Sequence, residues 1–218
     1  MKQKEKCVVI LSGGPDSTTV AYWAKKQGYQ TQALTFNYGQ IAQKEIGYAV
    51  KTAERLGIPI KIIDISSLKE IYAGVTSLID RDIPMTADFS QPIIVPFRNG
   101  IFLSIAVAYA ASIGASRIFC GAHRSDEPFY PDCRREFYRA FETAAKLGTE
   151  QDIPIESPFS DLPKSEIIKE GARLGVPFRD TWSCYLNEAK HCRKCESCTN
   201  RKRAFKEAGI LDPTEYQE

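Results

Sequence analysis

No apolar run in this chain approaches the roughly 20 residues that a helix needs to cross a bilayer, so no membrane span is expected. Charge of one sign is also missing. Twenty-nine Lys and Arg stand against 27 Asp and Glu, a net +2, which argues against a dedicated nucleic-acid binder and leaves room only for a local basic patch. Neither an internal repeat nor a low-complexity tract interrupts the 218 residues, enough for one sizeable core or a core with a small appendage. The opening MKQKEK is charged and runs straight into an apolar segment, without a signal-type core or a small-residue cleavage site, so the expected location is the cytoplasm. Cysteine is unevenly spread: Cys7, Cys120 and Cys133 are scattered, while four lie between Cys184 and Cys198. That distribution favours a metal site over a disulfide framework.

What is present begins with Cys7 to Val20, CVVILSGGPDSTTV. Val8, Val9, Ile10 and Leu11 read as a buried parallel strand. Ser12-Gly13-Gly14 breaks it, and Pro15 pre-sets the φ of a first helical turn that Asp16, Ser17, Thr18 and Thr19 continue. Free N–H groups and the positive end of the helix dipole make such a turn an anion site, and phosphate is its natural guest. A Walker loop is excluded, because it ends in Gly-Lys-Ser/Thr and no lysine occurs between Cys7 and Trp23. Asp16 against a polyphosphate would be repelled unless a hard cation such as Mg²⁺ lay between them. ATP with magnesium is the economical reading; a glycine turn that merely connects strand to helix is the bland one.

Strands and helices then alternate. The pattern predicts a helix over Thr18 to Gln27, a strand over Gln30 to Phe36, a helix over Gln43 to Leu56 and a strand over Ile60 to Ile65. A buried helix follows within FLSIAVAYAASIG, then a strand over Arg117 to Gly121, a helix with Phe137, Ala140, Phe141, Ala144 and Ala145 on one stripe, a strand over Ile153 to Glu156 and a helix over Lys164 to Leu174. This order means a doubly wound α/β fold on a mainly parallel five-stranded sheet, with the exits of the first, second and fourth strands on one edge. Ser66 to Gln91 lacks clear periodicity and reads as an insertion or flap. Arg98, at the entrance of the buried helix, suits a carboxylate or phosphate held bidentately, or else a surface ion pair.

From Asp180 the text becomes DTWSCYLNEAKHCRKCESCTNRKRAF. Cys184, Cys192, Cys195 and Cys198, with two C-x2-C arms, fit a tetrahedral structural zinc. An iron–sulfur cluster competes, although the Cys-Pro that usually ends a ferredoxin run is absent. His191 could replace one ligand. Lys190, Arg193, Lys194, Arg201, Lys202 and Arg203 surround the cluster, as suits the 2− charge of a tetrathiolate zinc.

SGGPDS resembles the SGGxDS signature of the ATP-pyrophosphatase (PP-loop) superfamily, whose members hold the pyrophosphate of ATP and adenylate an oxygen. With VPFRNGIFLSIA, GAH followed by YPDCRREF, and WSCY with CRKCESC, nearly the whole chain resembles the QueC (ExsB) family of 7-cyano-7-deazaguanine synthases. Only Ser66 to Pro92 matches no motif. The resemblance implies an adenine nucleotide alpha hydrolase-like unit over 1–178 and a zinc-binding module with a C-terminal helix over 179–218. It implies ATP-dependent conversion of 7-carboxy-7-deazaguanine and ammonia to the nitrile, by way of an adenylated carboxylate and an amide. ATP would be held by Ile10, Leu11, Ser12, Gly13, Gly14, Pro15, Asp16, Ser17, Thr18, Thr19 and Val20, with Phe36 and Tyr38 at the adenine unless they merely pack at the strand end. Asp16, Ser17 and Arg98 would be catalytic, Asp16 orienting Mg²⁺. Arg98, Asp132 and Arg134 would contact the substrate, and Cys133 would be a pocket or packing residue. A homodimer is implied, with small-molecule substrates and no nucleic-acid partner. Two other readings stay within reach of the same loop: an enzyme joining the deazaguanine acid to a protein amine, and a tRNA-thiolating enzyme, against which no extra RNA-binding domain is evident. A non-enzymatic ATP-sensing module is a further one.

Overall fold

A computed structural model describes residues 4–87, 93–124 and 127–218. Five parallel strands, β1 (Lys6–Ile10), β2 (Gln30–Asn37), β3 (Ile60–Asp64), β4 (Arg117–Phe119) and β5 (Ile155–Glu156), form one sheet in the order β3-β2-β1-β4-β5. Among the described residues, seven helices accompany them: α1 (Pro15–Lys26), α2 (Lys44–Leu56), α3 (Lys69–Tyr72), α4 (Arg98–Ile113), α5 (Arg135–Thr149), α6 (Lys164–Leu174) and α7 (Glu196–Ala208). The doubly wound parallel sheet expected from the alternation is thus present.

The central strand explains the layering. Successive side chains of a strand point to opposite faces. Cys7 and Val9 pack with Val20, Ala21 and Ala24 of α1 and with Ala49 and Ala53 of α2. Val8 packs on the other side with Leu34, and with Leu103, Ala106 and Ala110 of α4. A sheet buried on both faces accounts for the unbroken apolar run of β1. After β1 the chain builds outward through β2 to β3, then returns to place β4 on the opposite flank of β1. The strand order therefore reverses beside β1, the place where open α/β sheets bind ligands.

Some local readings change. Helix α1 starts at Pro15, three residues before the expected Thr18, and α4 starts at Arg98 behind Phe97, whose φ is +57°. On α5, Phe137, Phe141 and Ala145 are half-buried against the α4 cluster, but Ala140 and Ala144 face solvent. The described part of the 66–91 segment is built rather than loose: a 3₁₀ turn and α3 place Tyr72 and Leu78 in a cluster with Tyr38, Ile93 and Val95. The remainder of that segment, 88–91, lies outside the described residues. Among the described residues, no helix is long and apolar enough to cross a membrane.

Candidate active site

The loop after β1 is shaped by what its glycines lack. Gly13 has φ +82°, and a Cβ there would lie 2.3 Å from the Glu45 carbonyl oxygen and 2.8 Å from the Ala49 nitrogen of α2. Only glycine fits. Gly14 caps α1 without a side chain, Pro15 occupies the first turn, and Ser17 Oγ accepts a hydrogen bond from the Ser12 N–H at 3.2 Å. From the β4 exit, Gly121 presses so closely that a Cβ would stand 3.0 Å from the Ser17 nitrogen. A cleft of about 280 Å³ opens above this turn. Its walls carry residues from the exits of all three central strands, among them Ser12 and Gly14 after β1, Tyr38 and Gln40 after β2, and Cys120 and Gly121 after β4.

Two charged groups face each other at the loop. Lys164, the first residue of α6, places Nζ 2.8 Å from Asp16 Oδ2, and both side chains are largely buried, 13% and 17% exposed. Burial would raise the Asp16 pKa, but Lys164 and His123 outweigh it and hold the carboxyl below its usual range. Asp16 Oδ1 is buried without a hydrogen-bond partner. Asp16 is thus held by a partner: the lysine absent from the loop arrives from α6, about 150 residues later in the chain.

Farther along the cleft, Arg98 donates from Nη1 to the Tyr38 hydroxyl at 3.3 Å and lies over the rings of Tyr38 and Phe102, 5.6 and 5.9 Å from their centroids. Burial acts to lower its pKa, but Tyr38, Tyr130 and Asp132 more than offset that and keep the guanidinium charged. Its Nε is buried with no acceptor. A buried donor left without a partner is costly, and an anionic ligand in the cleft would supply the missing acceptor.

Of the residues singled out from sequence, Ile10, Ser12, Gly14, Pro15, Asp16, Ser17, Tyr38 and Arg98 line the cleft. Gly13 lies beneath it. Leu11 and Val20 belong to the core, Thr18 and Thr19 are fully buried, and Thr19 Oγ1 donates back to the Pro15 carbonyl at 2.8 Å. Phe36 stacks on Phe102 with centroids 4.2 Å apart. Asp132 accepts the Asn99 N–H at 2.9 Å near the start of α4, and Arg134 donates to the Glu127 carbonyl at 3.2 Å; neither lines the cleft. Cys133 does, accepting a hydrogen bond from Asn99 Nδ2 at 3.1 Å.

Sequence reasoning missed Gln40, Glu45, Lys164, Ser183 and Tyr185, all on the cleft wall. Ser183 and Tyr185 sit within WSCY and so had a local signal, as did Gln40 just past the second strand; Glu45 and Lys164 arrive through folding.

The four clustered cysteines converge as expected. The Sγ atoms of Cys184, Cys192, Cys195 and Cys198 lie within 4.8 Å of one another, all buried. Backbone N–H groups of Leu186 and Cys192 point at Cys184 Sγ at 3.4 and 3.3 Å, and that of Cys195 at Cys192 Sγ at 3.2 Å. Such donors stabilise thiolate charge, so the set fits a metal ion with four sulfur ligands. His191 is not a fourth-ligand substitute, since its Nε2 accepts the Ser183 N–H at 3.1 Å. Arg201 is no surface cation either. It is fully buried and binds Asp212, Thr181, Ser183 and the Phe178 carbonyl, tying α7 to the segment before the cluster.

Trp182 joins the two sites. Its N–H donates to the Gly13 carbonyl at 2.9 Å, and its indole Nε1–H to the Cys184 carbonyl at 2.7 Å. The cysteine segment thereby supplies Trp182, Ser183, Tyr185 and Ser197 to the cleft.

The model of the family described as "Queuosine biosynthesis protein QueC" matches residues 6–209. The 7-cyano-7-deazaguanine synthase of Caldicellulosiruptor bescii is 44% identical, covering 97% of each chain. That of Methanoregula boonei is also 44% identical, over 97% of this chain and 99% of the relative. Among solved structures, NMN synthetase from Francisella tularensis superposes with a TM-score of 0.56 at 20% identity, over 95% of this chain and 79% of that one. The U34-tRNA thiolase NcsA from Methanococcus maripaludis with its [4Fe-4S] cluster gives 0.53 at 17% identity, over 95% and 68%. These two likenesses concern the fold alone.

Proposed function

The chain belongs to the QueC family, and from that premise we propose that it converts 7-carboxy-7-deazaguanine and ammonia to 7-cyano-7-deazaguanine at the expense of ATP. One observation carries the reading at the level of chemistry. A phosphate-binding turn without a Walker lysine shares a single cleft with a buried arginine whose Nε lacks an acceptor.

A carboxylate is a poor electrophile, and transfer of AMP to its oxygen supplies a leaving group. In this reading Ser12, Gly14 and Ser17 hold the pyrophosphate end of ATP on the loop and the start of α1. Lys164 fixes Asp16 through Oδ2 and balances its charge, while the unpartnered Oδ1 is left for Mg²⁺. Tyr38 borders the adenine side. Arg98 holds the substrate carboxylate in line with the α-phosphorus and neutralises charge as it passes to the leaving pyrophosphate. Ammonia then displaces AMP to give the amide, and a second adenylation, on the amide oxygen, precedes loss of AMP to the nitrile.

The four cysteines hold a structural zinc in this account, since four thiolates leave no open position for water. The zinc supplies folding energy to the segment that walls the cleft. A homodimer in the cytoplasm, and a division into an ATP-binding unit over 1–178 and a metal module over 179–218, complete the proposal. The test is to incubate the protein with the deazaguanine acid, ATP, Mg²⁺ and ammonium and to follow products by mass spectrometry. Nitrile formed in an ammonium- and ATP-dependent way supports the proposal; acid recovered unchanged from a folded, metal-loaded protein overturns it.

A further inference from the structure

Both halves of the proposed reaction release protons from nitrogen, and the groups assigned so far include no base to take them. Glu45 lies on the cleft wall near Ser12, Tyr38 and Arg98, yet no role has been given to it. It stands at the start of α2, against the phosphate loop, where its carbonyl blocks any side chain at Gly13. Its carboxyl is oriented by a fully committed amide. Gln40, only 2% exposed, accepts the Tyr38 N–H on Oε1 at 2.9 Å and donates from Nε2 both to the Phe36 carbonyl at 3.0 Å and to Glu45 Oε1 at 2.9 Å. The other oxygen, Oε2, accepts no hydrogen bond among the described residues.

We infer that Glu45 is the general base of the nitrogen steps, taking a proton from the attacking ammonia and later from the activated amide. The inference rests on the function proposed above. When ammonia adds to the adenylated carboxyl, the C–N bond forms, the C–O bond to AMP breaks with its electron pair leaving on AMP, and one N–H proton passes to the carboxylate. Adenylation of the amide oxygen expels pyrophosphate and releases a proton from nitrogen. Expulsion of the second AMP then closes the nitrile with loss of the last N–H proton. Between steps the carboxyl returns its proton to water.

Other groups on the same wall are less suited. Asp16 is paired with Lys164 and held below the usual carboxylate range. Burial pushes the hydroxyls of Tyr38, Tyr138 and Tyr185 and the Cys120 thiol upward. Burial pushes Glu45 up to about 7, with Gln40 and Arg98 acting the other way, which matches a base to neutral conditions.

The experiment separates the carboxyl step from the nitrogen steps. Adenylation of the acid is read as acid-dependent exchange of labelled pyrophosphate into ATP, and the nitrogen step as amide and nitrile formed from ammonium. Glu45→Gln is expected to keep the exchange within a few-fold while ammonium-dependent product falls by about 10²- to 10⁴-fold, the usual contribution of a general base. Hydroxylamine, whose weakly basic nitrogen gives an adduct that loses its proton readily to water, should form the hydroxamate in the variant with a much smaller loss than the ammonium-dependent product. Glu45→Asp, which keeps the charge on a shorter arm, repeats the test if the glutamine variant does not fold, with a smaller loss expected. Native ammonium-dependent rates in a folded variant, or loss of exchange, ammonium product and hydroxamate together, would overturn the assignment. Absence of acid-dependent exchange in the native protein strikes instead at the proposed function itself.

Discussion

The phosphate loop and the cysteine segment solve opposite problems. The loop works through backbone: its N–H groups and the start of α1 form the proposed phosphate site, and Gly13 matters to its shape because it has no side chain. The cysteine segment works through side chains: four sulfurs converge, and little regular structure exists between Phe178 and the start of α7. The sheet and α2 leave the loop a single shape; in the proposed account the cysteine segment owes its order to a bound metal. Trp182 hydrogen-bonds to both, so an account that treats the metal as a remote clamp is too simple.

Cys195→Ala offers the largest break in the comparison. Structural zinc contributes on the order of 10 kcal/mol of binding free energy in small domains, and that binding energy is folding energy. The variant should lose its metal and melt far below the native protein. Because the segment walls the cleft, any folded fraction should also have a raised KM for the acid. Metal assay, thermal melting and steady-state kinetics on one preparation check this; a variant with native stability would separate the cluster from the fold. Stoichiometric iron with visible absorption in the native protein would replace zinc by a cluster.

Gly13→Ala attacks the loop instead. The positive φ costs about 1–2 kcal/mol for a side chain, and the 2.3 Å approach to Glu45 forces α2 or the loop to move. The metal content should be native, whereas ATP-dependent turnover should fall by at least about 10²-fold, as expected when reacting groups shift by an ångström. Turnover at native level would show that the loop's shape is not essential.

Lys164→Met tests the long-range lysine. At neutral pH, removing it leaves a largely buried carboxylate unpaired and should cost up to about 3 kcal/mol. Asp16 has a folded pKa held below its unfolded value, so the pair's contribution is present above the unfolded carboxylate value of about 4 and is lost as pH falls through the folded one. The Tm difference between native and variant proteins should therefore hold from pH 7 down to about pH 4 and narrow below that; a gap that stays constant below about pH 4 would mean that the lysine acts by packing alone.

Trp182→Phe sharpens the comparison most finely. It keeps the N–H to Gly13 and removes the indole donor to the Cys184 carbonyl together with part of the ring packed on Tyr48 and His191, a loss of about 1–3 kcal/mol. Metal should be retained, with a several-fold rise in the KM for ATP measured by titration. A raised KM would show that the two sites are mechanically joined, and an unchanged one that they are not.

The same contrast explains what could be read in advance. The phosphate loop and the cysteine cluster were legible because each is local: strand, turn and helix start occupy consecutive residues, and the four ligands fall within one short stretch. The sheet followed from alternation, since β1 is apolar on both faces for a reason any buried parallel strand shares. Lys164 was not legible, because nothing near it in sequence says that α6 starts beside Asp16. Arg201 looked like one of six cations around a cluster, and only the tertiary fold shows it buried on Asp212. Thr18, Thr19 and Leu11 were included with the loop by adjacency, but helical and strand periodicity turns them into the core. Within Ser66 to Gln91, the described residues lack a period because they pack through separate anchors, Tyr72 and Leu78, rather than through a regular face.

The measurement that bears most directly on the account is the nucleotide balance of nitrile formation. With the native, metal-loaded protein, two ATP should disappear for each 7-cyano-7-deazaguanine formed, with two AMP and two pyrophosphate appearing and no ADP. ADP and orthophosphate as the primary products would contradict the account.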